Sequence, residues 1–301
     1  MRALITGATG FVGRRLLEKL DQPAVVLSRN ADKAKQSLSE FSVDAFAWDP
    51  KDPKLPEEAF EGVDAVFHLA GEPVAEGRWN STKKARIRAS RSEGTRHLAE
   101  AIAKLSAPPK VLVSASAVGY YGDRGEETLT EKSDPGEGFL VDVCKEWEDA
   151  AAPAKEAGVH VVHPRIGIVL GPGGGALSKM LTPFKMGVGS PLGSGKQWMP
   201  WIHIDDLVGM MLFAADNEQA IGPWNGAAPQ PETNRQFTKV LGKALKRPTF
   251  FPPVPGFMLR LMLGEFSQVL LASQRVAPQA VEAAGYKFQY PDLESALQDI
   301  V

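Results

Sequence analysis

Met1-Arg-Ala-Leu-Ile-Thr6-Gly7-Ala-Thr9-Gly10-Phe11-Val12-Gly13-Arg-Arg-Leu16-Leu17-Glu-Lys-Leu20 opens the chain. Residues 2–6 form a short apolar run that reads as a buried strand. From Phe11 onward, Phe11, Val12, Leu16, Leu17 and Leu20 recur at helical spacing. Gly7, Gly10 and Gly13 lie between the two patterns as G-x-x-G-x-x-G. A glycine motif between a strand and a helix has a mechanism. Gly7 permits the tight turn, Gly10 lets the backbone approach a pyrophosphate, and Gly13 lets the helix pack close to the sheet. The helix N-terminus then offers free N–H groups and a partial positive charge to phosphates.

The chain of 301 residues has room for one large α/β domain, or a large one with a smaller one. A formal net charge of −2 provides no global field toward nucleic acid or a membrane. Cys144 is the single cysteine, so an intramolecular disulfide is excluded and a reducing, cytoplasmic compartment is expected. No apolar run approaches membrane-spanning length, and a strand starting at residue 2 leaves no room for a signal peptide. No internal repeat, low-complexity segment or metal site is read.

Ala24–Leu27 reads as a second strand ending in Ser28-Arg29-Asn30. An acidic side chain there would accept from both ribose hydroxyls of NAD, and none is present. Arg29 instead offers a guanidinium fork to a 2′-phosphate, so the expected cofactor is NADP(H). Residues 31–41 read as a helix and Val43–Trp48 as a third strand. Asp49 follows it, placed either to accept from the adenine amino group or to cap the next turn. Val63–Leu69 is a fourth strand, and Leu69-Ala70-Gly71-Glu72 at its end lets the backbone pass close to a cofactor. His68, inside that strand, reads as a satisfied core residue. Ser81–Leu105 is a long helix and Lys110–Val113 a fifth strand running into Ser114-Ala-Ser116-Ala-Val-Gly-Tyr120-Tyr121-Gly122. A helix over 139–157 and a sixth strand over 159–170 complete the alternation of a Rossmann-type, doubly wound parallel α/β sheet. Regularity changes beyond Gly171. Residues 1–170, with 200–220 returning, are expected to form the NADP-binding domain. Residues 171–199 and 221–301 are expected to form a smaller α/β lobe holding a small-molecule substrate. Trp198 and Trp201 read as structural anchors of that lobe.

Thr6-Gly7-Ala-Thr-Gly10-Phe-Val-Gly13, Leu69-Ala70-Gly71, Gly94-Thr95 and Tyr121-Gly122 resemble the extended short-chain dehydrogenase/reductase superfamily of nucleotide-sugar epimerases and dehydratases. More narrowly, several further stretches are similar to an atypical "epimerase family" subgroup with a C-terminal domain of unknown function. These are Ser114–Gly122, Phe139–Glu148, Pro164-Arg165-Ile-Gly167, Trp201-Ile-His203-Ile-Asp205-Asp206 and Ala284-Gly285-Tyr286-Lys-Phe288. The resemblance implies a cofactor shell of Gly7, Thr9, Gly10, Phe11, Val12, Gly13, Ser28, Arg29, Asp49, Leu69, Ala70, Gly71, Glu72, Arg91, Ser114 and Pro164. It also implies a homodimer through the fourth and fifth helices.

The superfamily's proton relay is Tyr-x-x-x-Lys on the fifth helix, supported by an upstream Ser and an Asn. Ser116 matches the Ser and is expected to bind the reacting oxygen. The Asn position is Arg91, and the Tyr and Lys positions fall on Leu140 and Cys144. A slip by one residue gives Val141 and Lys145, again without a phenol. Replacement candidates are Tyr120 or Tyr121, Glu72, His203, and Cys144 as a thiol acid or nucleophile. Arg165 is placed either to clamp an anionic substrate or to pair with a carboxylate inside the fold, and His203 is expected near the substrate. Three activities follow: NADP(H)-dependent oxidoreduction of a carbonyl or carbinol, epimerisation, and cofactor-gated binding in the manner of a cell-division inhibitor.

Overall fold

In a computed structural model describing residues 1–301, the main sheet follows a path of parallel strands. They are β1 (Ala3–Thr6), β2 (Ala24–Ser28), β3 (Val43–Ala47), β4 (Ala65–His68), β5 (Val111–Ser114), β6 (His160–Ile166) and β7 (Gly222–Gly226). Their spatial order is β7-β6-β5-β4-β1-β2-β3. The chain winds outward from β1 through β2 and β3, then returns to the far side of β1 with β4. That reversal opens a crevice beyond the carboxyl ends of β1 and β4, where doubly wound sheets take their ligands.

Both faces of the sheet are covered, so its strands are apolar throughout rather than alternating. Leu4, Val25, Leu27, Val66, Leu112 and Val161 face one side and pack with Leu98, Ala99 and Ile102 of the long helix Ser81–Lys104. Their neighbours Ile5, Val26, Phe67, Val113 and Val162 face the other. There they meet Leu16 and Leu17 of helix Phe11–Glu18 and Leu207, Val208 and Met211 of helix Ile204–Asp216. A third core gathers Trp201, Phe237, Leu241, Leu293 and Leu297 in the smaller lobe, so Trp201 is a structural anchor.

The sixth strand expected over 159–170 is two strands. After Ile166 the chain leaves the main sheet, and Gly167 donates to Gly226 O at 2.9 Å. A Cβ at Gly167 would run into Pro200 O. Ile168–Leu170 then pairs in parallel with Trp201–His203, in a ladder of its own. Residues 200–220 therefore rejoin the main body through helix Ile204–Asp216 and not through a strand. The strand that does rejoin is β7, which lies beside β6. Residues 222–226 thus sit in the main sheet, where the sequence reading had put them in the smaller lobe. Gly-Pro-Trp-Asn-Gly looks like a loop because Pro is excluded from central strands, but β7 is an edge strand and tolerates it. The expected helix over 139–157 also divides, into Phe139–Asp149 and Ala152–Glu156, with Pro153 in the first turn of the second piece.

Two carboxylates at the start of helix Ile204–Asp216 fasten the lobe to the sheet. Asp206 is buried and accepts from Gln289 N at 2.7 Å, Tyr290 N at 2.9 Å and the Tyr286 hydroxyl at 3.2 Å. Asp205 accepts from Arg15 Nη2 at 2.7 Å, and Arg15 lies on helix Phe11–Glu18. The Ile-Asp-Asp stretch thereby ties the C-terminal segment to the helix that follows the glycine turn.

Candidate dinucleotide and substrate site

The glycines at the switch point are fixed by contact. Gly7 has φ +74°, and a Cβ there would lie 2.9 Å from Ala70 N. Gly10 N donates to Gly7 O at 3.0 Å, which closes the turn. A Cβ at Gly13 would run into the same Gly7 carbonyl. Gly10 caps the helix with no side-chain bond, so the first-turn N–H groups of Phe11, Val12 and Gly13 are left for a ligand. Thr9 and Gly10 are exposed beside them. Thr6 Oγ1 accepts from Ala70 N at 3.1 Å and meets His68 Nδ1 at 2.7 Å. That link holds Leu69, Ala70 and Gly71 against the turn. A pyrophosphate fits this turn, because its first-turn N–H groups are unpaired and the glycines let the backbone close so tightly that no Cβ could stand at Gly7 or Gly13. The ring of Phe11 fits beneath a second glycine run: a Cβ at Gly171 or Gly175 would lie 2.9 or 2.8 Å from it. This packing accounts for Gly171, Gly174 and Gly175.

The rim is charged. Ser28 is half-buried and Arg29 exposed at the end of β2, facing solvent as a 2′-phosphate ligand would require. Asp49 Oδ1 accepts from Lys51 N at 3.1 Å, so it caps the turn. Glu72 accepts from the buried Lys83 Nζ at 2.8 Å, and Arg86 Nε stands 3.8 Å away. The Lys83 bond, then the charges of Lys83, Arg86 and Arg29, hold the Glu72 carboxyl below its usual range against some opposition from burial. Arg91 donates to Glu72 O at 3.0 Å and lies 4.9 Å above the Trp147 ring. A Cβ at Gly71 would come within 3.3 Å of its guanidinium carbon, so Gly71 is a place for Arg91 to rest.

The expected catalytic residues lie deeper. Ser116 Oγ donates to Glu148 Oε1 at 2.6 Å. Glu148 is gripped by Arg165 through Nε at 2.9 Å and Nη2 at 2.8 Å. Arg165 Nη1 donates to the Tyr121 hydroxyl at 3.0 Å, and that hydroxyl lies 2.7 Å from Asn225 Oδ1. Ser116, Tyr121, Arg165 and Asn225 are all buried. This burial bears on the expected roles of Arg165, Tyr121 and Ser116. Arg165 takes the second of its two expected placements, paired with a carboxylate inside the fold. Tyr121 is enclosed, with burial pushing its phenol up to about 12. The Ser116 hydroxyl donates its hydrogen bond to Glu148 and is not directed at an open site. Cys144 is buried too, 3.7 Å from Ala117 O, and burial pushes its thiol up to about 12, so it is no low-pKa nucleophile. His203 is also corrected. Its Nδ1 accepts from Asp205 N at 3.1 Å as the cap of helix Ile204–Asp216, and its ring stacks on Tyr290 at 3.9 Å. Pro164 lies inside β6 opposite Trp224, short of the strand's end. Ser114 ends β5, and its buried hydroxyl has no partner within the protein.

Sequence reasoning missed Glu148, Asn225 and Lys83. Glu148 had a signal, standing four residues after Cys144 on the same helix face. Asn225 had none. Tyr120 is the phenol of this stretch that the network leaves out: it is half-buried, and the Arg165 guanidinium carbon lies 3.5 Å from its ring centroid.

A glycine cradle at the switch point of a doubly wound parallel sheet defines a dinucleotide-binding protein of the Rossmann class. The chain belongs to the NAD dependent epimerase/dehydratase family, whose profile matches residues 3–225, and residues 254–300 match a domain of unknown function, DUF1731. It is 40% identical to the Arabidopsis thaliana epimerase family protein SDR39U1 homolog, chloroplastic, across 100% of this chain and 87% of that protein. It is 37% identical to mouse epimerase family protein SDR39U1 across the whole of both chains. The crystal structure of human epimerase family protein SDR39U1 (isoform 2) with NADPH superposes with TM-score 0.87 at 34% identity, covering 100% of this chain and 99% of that one. The Thermotoga maritima UDP-glucose 4-epimerase shares the fold, with TM-score 0.79 at 20% identity.

Proposed function

We propose that the protein binds NADP(H) in the Gly7–Gly13 cradle, with Arg29 on the 2′-phosphate, and acts as an oxidoreductase on a carbonyl or carbinol of a small substrate. Bound there, the cofactor supplies or takes up the hydride. Tyr120 gives the proton to the substrate oxygen on reduction and takes it back on oxidation. The observation that carries this reading is the division of labour between adjacent phenols. Tyr121 is locked by Arg165 and Asn225, whereas the Tyr120 hydroxyl makes no hydrogen bond within the protein and the residue is only half-buried. Arg165 fixes the Tyr120 ring from one face.

The test is NADPH consumption across a panel of aldehydes and ketones, comparing wild type with Tyr120→Phe. Loss of a positioned acid lowers turnover by about 10²–10⁴-fold, with NADPH affinity unchanged. Cofactor regeneration without net consumption on nucleotide sugars would move the reading to epimerisation. NADPH binding with no turnover would move it to a cofactor-gated binding protein, a reading favoured by the burial of Ser116, Tyr121 and Cys144. The lone, buried thiol supports a reducing compartment such as the cytoplasm. The cleft between helices Ser81–Lys104 and Phe139–Asp149 is lined by Ser92, Glu93, Arg96, His97, Glu146 and Asp149. A homodimer through these helices would have to bury those charges.

A further inference from the structure

Helix Gly256–Leu263 rests on the lobe through one edge and shows an apolar face to solvent. Leu259 is buried and Leu263 half-buried, whereas Phe257, Met258, Leu261 and Met262 are exposed, Phe257 by 69% and Leu261 by 75%. At 100° per residue the four exposed side chains occupy an arc of about 140°, with Leu259 and Leu263 on the opposite side. Phe250 and Phe251, stacked at 4.9 Å, are exposed a few residues earlier. The loop before Pro191 adds exposed Met186 and Val188, and it is joined to this segment where Val254 N donates to Pro191 O at 2.8 Å. An exposed apolar surface of this kind marks an interaction site.

Its charge identifies the partner. Residues 157–204 and 233–264 contain no Asp or Glu at all, in a chain whose overall charge is −2. Lys185, Lys246, Arg247 and Arg260 are exposed within these stretches, close in sequence to Met186, Phe250 and Leu261. The first carboxylate beyond them, Glu265, is paired with Lys84. The chain-wide charge conceals this local excess of cations.

No helix is long and apolar enough to cross a membrane, but an apolar face flanked by Lys and Arg suits a helix that lies in a membrane interface. We propose that this face docks the protein peripherally on an anionic lipid bilayer. Phe257, Leu261, Met258 and Met262 enter the boundary between headgroups and acyl chains, and the four cations meet the lipid phosphates. Exposed apolar area alone would suit a second copy of the chain or another protein. A self-pairing face would bring Lys246, Arg247 and Arg260 against like charge, which disfavours it.

The test is co-sedimentation of the full chain with vesicles of phosphatidylglycerol and phosphatidylcholine, against phosphatidylcholine alone. Expected is binding at least about tenfold tighter to the anionic vesicles, lost in about 1 M salt, where the screening length falls to about 3 Å. Phe257→Ser/Leu261→Ser and, separately, Arg247→Glu/Arg260→Glu should each weaken it at least about tenfold, with NADPH binding retained as the check on folding. The charge-reversal pair keeps the test decisive should the first pair fail to fold. No binding of wild type to anionic vesicles, or binding that neither pair alters, overturns the proposal. So does a wild-type dimer that Phe257→Ser/Leu261→Ser converts to monomer, because the face would then belong to a second copy.

Discussion

Arg165 and Glu148 meet in the interior through two parallel N–H···O bonds, Nε to Oε1 at 2.9 Å and Nη2 to Oε2 at 2.8 Å. The pair also carries Ser116 on the carboxylate and Tyr121 on the guanidinium, so one ion pair orders both sides of the β5–β6 edge. Removing one partner strands a buried charge, which costs about 3–5 kcal/mol. Arg165→Ala and Glu148→Ala should each lower the urea midpoint accordingly, while Arg165→Met/Glu148→Leu should cost less than their sum. Arg165→Lys should not rescue, since one ammonium cannot make both bonds and reach Tyr121. Additive losses in the double variant would show that the two side chains do not act as a pair.

Cys144 is held as a thiol. Burial first, and the Glu148 charge second, push it up to about 12. Near neutral pH, iodoacetamide should therefore leave the native protein unmodified and label it only on unfolding in urea. Cys144→Ala should keep NADPH affinity and any carbonyl turnover within about twofold of wild type. Rapid labelling of the folded protein, followed by mass, would contradict this placement.

The main sheet was legible because its strands are buried on both faces and read as continuous apolar runs. The glycine turn was legible because its glycines have steric partners, Ala70 for Gly7 and Gly7 O for Gly13, whereas the contact of Phe11 with Gly171 and Gly175 joins residues far apart in sequence and was not. His68 was legible as core because it lies in an apolar run; it is buried and satisfied at Nδ1 by Thr6 but not at Nε2. The candidate site was legible only at its rim. Arg165, Ser116 and Tyr121 looked like site chemistry because polar residues near strand ends usually are. Their commitment to Glu148 and Asn225 depends on a helix and an edge strand distant in sequence. Strand β7 was illegible because its Pro and glycines carry a turn signal that an edge position overrides.

Arg29 is the one cation at the end of β2 and stands free of protein partners in an exposed position. A charge-assisted bond to a phosphate is worth about 1.5–3 kcal/mol. Arg29→Ala should therefore weaken NADPH by about 10–100-fold and leave NADH nearly unchanged. Fluorescence titration with both cofactors measures the ratio. Equal weakening of the two would mean that Arg29 meets the adenine or the shape of the turn and not the 2′-phosphate.

His68 sets a pH dependence of folding. Thr6 Oγ1 accepts from Ala70 N and, in the tautomer protonated at Nε2, donates to His68 Nδ1, which leaves the buried ring neutral with its Nε2 unpartnered. Burial lowers its pKa from 6.5 to about 4. In the unfolded chain the ring takes a proton once pH drops below about 6.5, whereas in the folded protein it waits until about 4. Across that window the unfolded state binds more protons, so stability falls as pH falls, by about 3 kcal/mol in total, with no further loss from this group below it. The urea midpoint followed from about pH 7 to about pH 4 reads that loss. His68→Asn keeps an acceptor for Thr6 and removes the titration, so its decline over the same range should be shallower by that amount. Parallel declines in wild type and His68→Asn would assign the acid sensitivity to the carboxylates, with Glu72 and Asp205, whose native pKa values lie below the usual range, the next to test.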